Sequence, residues 1–106
     1  MRDERWSKSE KQIARAAFDK ASETEHAAIL REVHSMLNAA KETRVVWALH
    51  DYLTQRRREI DEKYDFRFSQ LTFVFARLIR EGWITEADLA GLHEDKLETI
   101  RKILRL

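Results

Sequence analysis

The sequence predicts an all-α protein, and three observations support that prediction. Its 106 residues contain no proline and two glycines, where average usage would give about five prolines and about seven glycines. Strands and barrels need those residues at their turns. Apolar residues also recur at spacings of three and four, the period of a helix face. The predicted architecture is a long antiparallel helical hairpin with a small C-terminal helical head, homodimeric through the hairpin stems.

The composition also limits the class of function. The chain has 20 Lys and Arg against 19 Asp and Glu, a net charge of +1, so bulk electrostatics do not favour nucleic acid as a partner. It has no cysteine to act as a nucleophile or metal ligand, and no Gly-rich phosphate loop. Its apolar runs are far too short to span a membrane. We therefore predict a cytoplasmic protein that is not an enzyme and has no integral membrane segment.

The first predicted helix covers residues 8 to 40. Ser7 followed by Glu10 is a capping box, in which each side chain accepts the other residue's backbone N–H. Its apolar face is rich in alanine, which buries little area but lets another helix approach closely. We expect this helix, roughly 50 Å long, to lie along a partner. The face comprises Ile13, Ala17, Ala21, Ala28, Val33, Leu37 and Ala40.

A second helix is predicted after a reversal at residues 41–44. Its apolar stripe consists of Val46, Leu49, Leu53, Ile60 and Tyr64. Two long helices joined by a tight turn form an αα-hairpin. Residues 1–65 are therefore predicted to form the hairpin stem and the dimerisation region.

Residues 66–106 are predicted to form the head. Residues 71–76 include residue types that favour β-strands, so a strand is one alternative. The other is a helix, which would place Phe68, Leu71, Phe75 and Leu78 on one face. The helix alternative also explains why the helix would end at Gly82, since this glycine would take the left-handed conformation of a Schellman cap with Trp83 folded back on Leu78. A short helix capped by Thr85 and ended by Gly91, and a last helix over residues 94–104, complete the head.

Two local patterns could signal other chemistry. Glu23 and His26 make one Glu-x-x-His step of the kind found in di-iron bundles, but the second copy that such a site needs is missing, so we expect no metal site. The basic run Arg56–Arg58 is followed at once by acids, and Glu59 is spaced to pair with Lys63. The basic run is therefore not expected to bind nucleic acid.

A mixed strip on the second helix predicts a dimer interface. With Trp47 at zero on a helical wheel, Arg58 lies at about 20°, Asp51 at about 40°, and His50 and Arg57 within about 80° on the other side. Set antiparallel against its own copy, this strip brings Asp51 near the arginines, as a two-fold interface requires. The predicted interface is Trp47, Asp51, Arg57 and Arg58. The alternative is an ordinary solvated face with Trp47 plugging the end of the core.

Phe73 is the second candidate contact residue. It lies roughly 160° from Phe75 on the wheel, so the two rings cannot face the same core. Either the head is buried on two sides, or Phe73 is exposed, as expected of an anchor for a protein partner.

The segments WALHDYLTQRRREIDEKYDFR and TFVFARLIREG, with the closing IRKILRL, resemble the fluorescence recovery protein family of cyanobacteria. The resemblance runs from about Val46 to Leu106, whereas residues 1–45 match in helical character only. It implies a cofactor-free helical homodimer that binds the orange carotenoid protein, chiefly its C-terminal domain. The family binds the photoactivated red form, accelerates its return to the orange form and promotes its release from the phycobilisome, which restores antenna fluorescence.

The resemblance also implies partner-binding residues and a location. The residues are Trp47, His50, Asp51, Arg57 and Phe73, and the expected location is the cytoplasm, including the thylakoid surface. An alternative is a helical homodimeric interaction module with another protein client, in an organism lacking phycobilisomes.

Two positions depart from the family pattern. Thr99 replaces a lysine of the last helix that helps to hold the partner, with Lys96, Arg101 and Lys102 as candidate substitutes. Phe66 stands where an acid is expected.

Overall fold

The computed structural model describes residues 5–106, and every regular element within that range is helical. The molecule is elongated, with principal extents of 53 × 27 × 22 Å. The elements in chain order are α1 (Lys8–Ala39), α2 (Val45–Lys63), α3 (Leu71–Glu81), a 3₁₀ turn (Glu86–Leu89) and α4 (Glu94–Leu104). The all-α prediction is confirmed.

The start of α1 is set by the capping box that the sequence predicts. Ser7 Oγ accepts the backbone N–H of Glu10 at 3.1 Å, and Glu10 Oε1 accepts the backbone N–H of Ser7 at 3.0 Å. Together they satisfy two donors that a helix start leaves without partners. α1 then continues for 32 residues, about 48 Å at 1.5 Å per residue.

α2 runs antiparallel to the second half of α1. Just after α2, Tyr64 donates its hydroxyl to Glu25 Oε1 at 2.8 Å, whereas Tyr52 in the middle of α2 lines a groove that reaches on to Glu32. The hairpin prediction is therefore correct. The apolar stripes of α1 and α2 are less buried than predicted, since the side chains of Leu37, Val46 and Leu53 are 49 %, 53 % and 39 % exposed. These residues lie beyond the head, where two helices in a single layer cover only part of each other.

The segment 71–76 forms the start of α3, so the strand alternative is wrong. Leu71, Phe75 and Leu78 are completely buried, but Phe68 lies in the turn before the helix, with its ring 5.5 Å from that of Trp6.

The C-terminus of α3 is the predicted Schellman cap. Gly82 has φ +86°. Its N–H donates to the Ile79 carbonyl at 3.0 Å, and the Trp83 N–H donates to the Leu78 carbonyl at 2.9 Å. These two bonds satisfy carbonyls that the helix end leaves free, and the positive φ explains why glycine occupies the position.

The head packs along the first half of α1, where Ala14, Ala17 and Ala21 are at most 2 % exposed. The approach is close, because a Cβ on Gly91 would lie 2.6 Å from Ile13 Cδ1. The short element after Thr85 is a 3₁₀ turn whose start is fixed by the Thr85 N–H donating to Asp88 Oδ2 at 2.9 Å. The first half of the alanine-rich face is thus covered by the head.

Among the helices of residues 5–106, none combines the length and the hydrophobicity that crossing a lipid bilayer requires.

Candidate interaction surfaces

The stem strip, defined as Trp47, His50, Asp51, Arg57 and Arg58, lies on the exposed side of α2. Trp47 is 68 % exposed, and its ring centre lies 6.3 Å from that of His50 in an edge-on arrangement. His50 Nδ1 is 3.6 Å from Asp51 Oδ1. The strip therefore begins with a large apolar surface next to a carboxylate.

The basic end of the stem strip is also solvated. Arg57 Nε donates to both carboxylate oxygens of Asp61 at 3.3 Å, one turn further along α2. Both side chains are more than 60 % exposed, and a pair of this kind contributes under about 1 kcal/mol. Arg57 thus has a local partner on its own helix.

The head patch is the surface around Phe73 on α3. Phe73 is 58 % exposed, which confirms the exposed alternative. A shallow groove of about 170 Å³ runs beside its ring, between α3 and the end of α2. Charged groups of both signs line this groove, which is bounded by Glu62, Lys63, Asp65, Gln70, Phe73, Val74 and Arg77.

A buried ion cluster lies where α1, α2 and the end of α3 meet. Lys63 Nζ is 2.6 Å from both Glu25 Oε2 and Glu81 Oε1, and its side chain is 2 % exposed. Burial opposes ionisation of Glu81, but hydrogen bonds from Lys63, Arg77 and Trp83 outweigh burial and lower its pKa to about 2. The predicted Glu59–Lys63 pair is wrong, because Glu59 accepts from Arg56 instead.

Tyr64 belongs to the same cluster. Burial raises the pKa of its hydroxyl, and the hydrogen bond to Glu25 acts in the same direction by favouring the protonated form. The hydroxyl therefore stays a donor.

A second buried pair joins the start of α1 to α4. Lys96 Nζ lies 3.0 Å from Glu10 Oε2 and donates to the Arg5 carbonyl at 2.8 Å. Burial opposes ionisation of Glu10, but the N–H groups of Ser7 and His93 together with Lys96 outweigh it and lower the pKa to about 2.

The burial of Lys63 and Lys96 was not predicted from the sequence. A signal for them existed, since Glu10 and Glu25 fall on the same face of α1 as the buried alanines. A carboxylate on a buried helix face needs a cation from another element.

The surroundings of Thr99 decide among the three candidate substitutes for the family lysine. Lys96 is buried against Glu10. Arg101 contacts Glu86, Glu94 and Glu98.

Lys102 is exposed on α4, as is Thr99. Of these candidates, Lys102 alone combines an exposed side chain with the absence of an ion pair in residues 5–106.

Metal ligands do not gather in the described part of the chain. His26 Nδ1 lies 2.7 Å from the carbonyl of Ser22 on its own helix. Between residues 5 and 106, no group of three or more His, Asp or Glu side chains is arranged to hold an ion.

Comparison with known families decides what class of protein carries these surfaces. The family model described as the photoprotection regulator fluorescence recovery protein matches residues 6–104. The chain belongs to this family. The family match includes the first helix, so the expectation that residues 1–45 share only helical character with the family is wrong.

Individual relatives show the same extent of similarity. The fluorescence recovery protein of Synechocystis sp. is 40 % identical over 101 residues, which cover 95 % of this chain and 93 % of that protein. The structure of the Fremyella diplosiphon fluorescence recovery protein matches with a TM-score of 0.88 at 42 % identity, and that of the Synechocystis protein with 0.88 at 40 %. Each comparison covers 95 % of this chain and 99 % of the other.

Membership of a family of photoprotection regulators identifies the chain as a regulatory protein and confirms that it is not an enzyme.

Proposed function

We propose that this protein binds the photoactivated red form of the orange carotenoid protein, accelerates its return to the orange form and promotes its release from the phycobilisome. The observation that carries the proposal is the family match over residues 6–104. The identity of the client follows from the resemblance of the segments that contain the stem strip and the head patch. The contact is proposed to be chiefly with the sensor's C-terminal domain, in the cytoplasm at the thylakoid surface.

The proposed mechanism is a population shift. A ligand moves a two-state equilibrium only by its difference in affinity for the two states. The protein must therefore bind the compact sensor, or the path towards it, more tightly than the open form. Phe73 supplies an exposed apolar ring, and Trp47, His50, Asp51 and Arg57 supply an aromatic and charged surface on α2.

The working unit is proposed to be a homodimer joined through the stem strip. Five large apolar side chains on the hairpin are at least 39 % exposed: Leu30, Leu37, Val46, Trp47 and Leu53. Soluble monomers rarely leave a wide apolar area in contact with water. Asp51 lies two turns before the paired arginines, so an antiparallel copy would bring opposite charges together.

The test is the dark recovery of the photoconverted sensor. Purified red sensor is mixed with increasing amounts of this protein, and the return of the orange absorption is timed. We expect the rate to increase and then saturate. An unchanged rate over a wide excess of protein would contradict the proposal.

The second candidate is a homodimeric helical module with a different protein client, and Thr99 in place of the family lysine favours it. A competition pull-down separates the two. Displacement of the bound sensor by a non-carotenoid protein would support the second candidate, whereas retention of the sensor would support the first.

A further inference from the structure

The centre of the contact between the head and α1 is formed by alanines, with Ile13 packed closely against Gly91 beside them. Ala14, Ala17 and Ala21 contribute only methyl groups to the contact, and all are at most 2 % exposed. Helix packing takes its preferred angles from side-chain ridges that enter grooves. Three methyl groups in a row form a shallow ridge, so these alanines contribute little to fixing the tilt of the head.

Buried ion clusters close both ends of this alanine surface. Glu10 binds Lys96 at one end, and Glu25 binds Lys63 at the other. The two glutamates lie on one helix about 22 Å apart, at 1.5 Å per residue. The alanine contact is therefore bounded by directional, short-range bonds.

The cluster at Lys63 joins more elements than the cluster at Lys96. Lys63 ends α2, Glu25 belongs to α1, and Glu81 ends α3. A buried ion pair contributes little net stability compared with apolar residues of similar volume, but in some proteins it selects one arrangement among several. At a three-way junction, that selection sets an angle between elements.

The cluster also reaches the head patch through α3. Glu81 accepts from Arg77 Nε at 2.9 Å and from Trp83 Nε1 at 2.9 Å. Phe73 precedes Arg77 by one turn of the same helix. A change in the position of Glu81 would therefore move Phe73 together with α3.

We propose that Lys63 is a positioning residue that fixes the tilt of the head against the hairpin, and thereby the placement of Phe73 relative to the stem strip. The role of Lys63 in fixing the head does not depend on the proposed function, whereas the consequence for the client rests on it.

The test uses the double variant Lys63→Met/Glu25→Gln. It removes both charges of the more deeply buried pair at once, so neither is left buried without a partner, and Glu81 keeps its ion pair with Arg77. The amide oxygen of the introduced glutamine can still accept from Tyr64. The chain has no cysteine, so single cysteines at the exposed positions Ser35 and Lys102 accept spin labels cleanly. Labelled chain is diluted with excess unlabelled chain, so that distances within one protomer dominate.

We expect a narrow distance distribution in the parent chain. In the double variant it should broaden, and its mean should shift by about 3 Å or more, half a helical turn. The thermal midpoint should stay within about 5 °C, since removing a whole buried pair is often neutral. An unchanged narrow distribution in a folded double variant would overturn the proposal. The matched control is Glu42→Gln/Arg44→Met, which removes an exposed pair in the hairpin turn and should leave the distribution unaltered.

If the double variant fails to fold, Glu81→Gln provides the test, because Glu25 still neutralises Lys63. It should shift the distribution in the same direction, and an unaltered distribution would again count against Lys63.

A second readout tests the consequence for the client. In the sensor recovery assay, the double variant should need about tenfold more protein for half-maximal acceleration, equivalent to about 1.4 kcal/mol. Unaltered acceleration together with an altered distance distribution would refute the link to Phe73. If the parent chain itself does not accelerate recovery, the proposed function fails, while the distance measurement still decides the role of Lys63.

Discussion

Lys96 Nζ lies 3.0 Å from Oε2 of Glu10, although 86 positions separate the two residues in the chain. Both side chains are more than nine-tenths buried. The capping carboxylate of the first helix thus also binds the last helix. Local helix initiation and the closure of the head depend on the same group.

Lys96→Met should lower the free energy of unfolding by about 3–5 kcal/mol, because Glu10 would remain buried without its cation. Urea denaturation followed by circular dichroism measures the loss. Lys96→Met/Glu10→Gln is the matched control and should recover most of it. Equal stabilities of the single variant and the parent would contradict the importance of this pair.

Stability should decline as the solution is acidified. Glu10 and Glu81 have pKa values of about 2 in the folded protein, against an ordinary value of 4.5. A carboxyl with a lowered folded pKa stabilises the fold above its unfolded pKa, and that contribution is lost as the pH falls through the folded value. Urea midpoints should therefore drop between about pH 5 and about pH 2. Midpoints that stay constant down to about pH 3 would show that these carboxylates ionise normally.

Asp51→Leu and Arg57→Leu should each weaken self-association. If the partner copy covers the stem strip, removing one charge of a buried pair costs about 3–5 kcal/mol of association free energy. Sedimentation velocity over a concentration series measures the dissociation. Asp19→Leu, on an exposed pair of α1, is the control and should leave the dimer intact. An unaffected dimer in both test variants would mean that the strip faces water.

Phe73→Ala should reduce binding to the client while leaving helicity and the thermal midpoint unchanged, because the ring is 58 % exposed. Surface anchors of this type can contribute about 2 kcal/mol or more, about a 30-fold change in affinity. Titration calorimetry with the sensor measures that change. Phe75→Ala is the contrast, since this fully buried ring should cost about 3–5 kcal/mol of stability. Unfolding of the Phe73 variant would assign that ring to the core.

Thr99→Lys should strengthen binding to the client, and Lys102→Ala should weaken it. Both positions are exposed on α4, so neither change should alter stability by more than about 0.5 kcal/mol. Binding at several salt concentrations measures the effect, which should shrink as screening increases. Equal affinities of both variants and the parent would remove α4 from the contact surface.

Several elements of the fold were predictable because their causes are local. The capping box of Ser7 and Glu10 and the Schellman cap at Gly82 depend on residues at most five positions apart, and both form as predicted. The opposite orientation of Phe73 and Phe75 follows from the 100° step of a helix.

Other features were not predictable from spacing. Helical periodicity indicates that Glu59 and Lys63 can meet, but it cannot weigh that pair against Glu25, which is 38 positions away. Arg57 likewise has a partner within its own helix, and the spacing pattern could not choose between that partner and a second chain.

Local sequence patterns were enough to establish which segments are helical, where α1 begins and where α3 ends, because these properties arise from interactions within one or two turns. The position of the α1 alanines under the head, and the pairing of Glu10 and Glu25 with buried lysines, became visible when the helices were seen packed together. These contacts depend on how whole helices pack against one another. They join residues that are far apart in the chain, so no local sequence pattern can predict them.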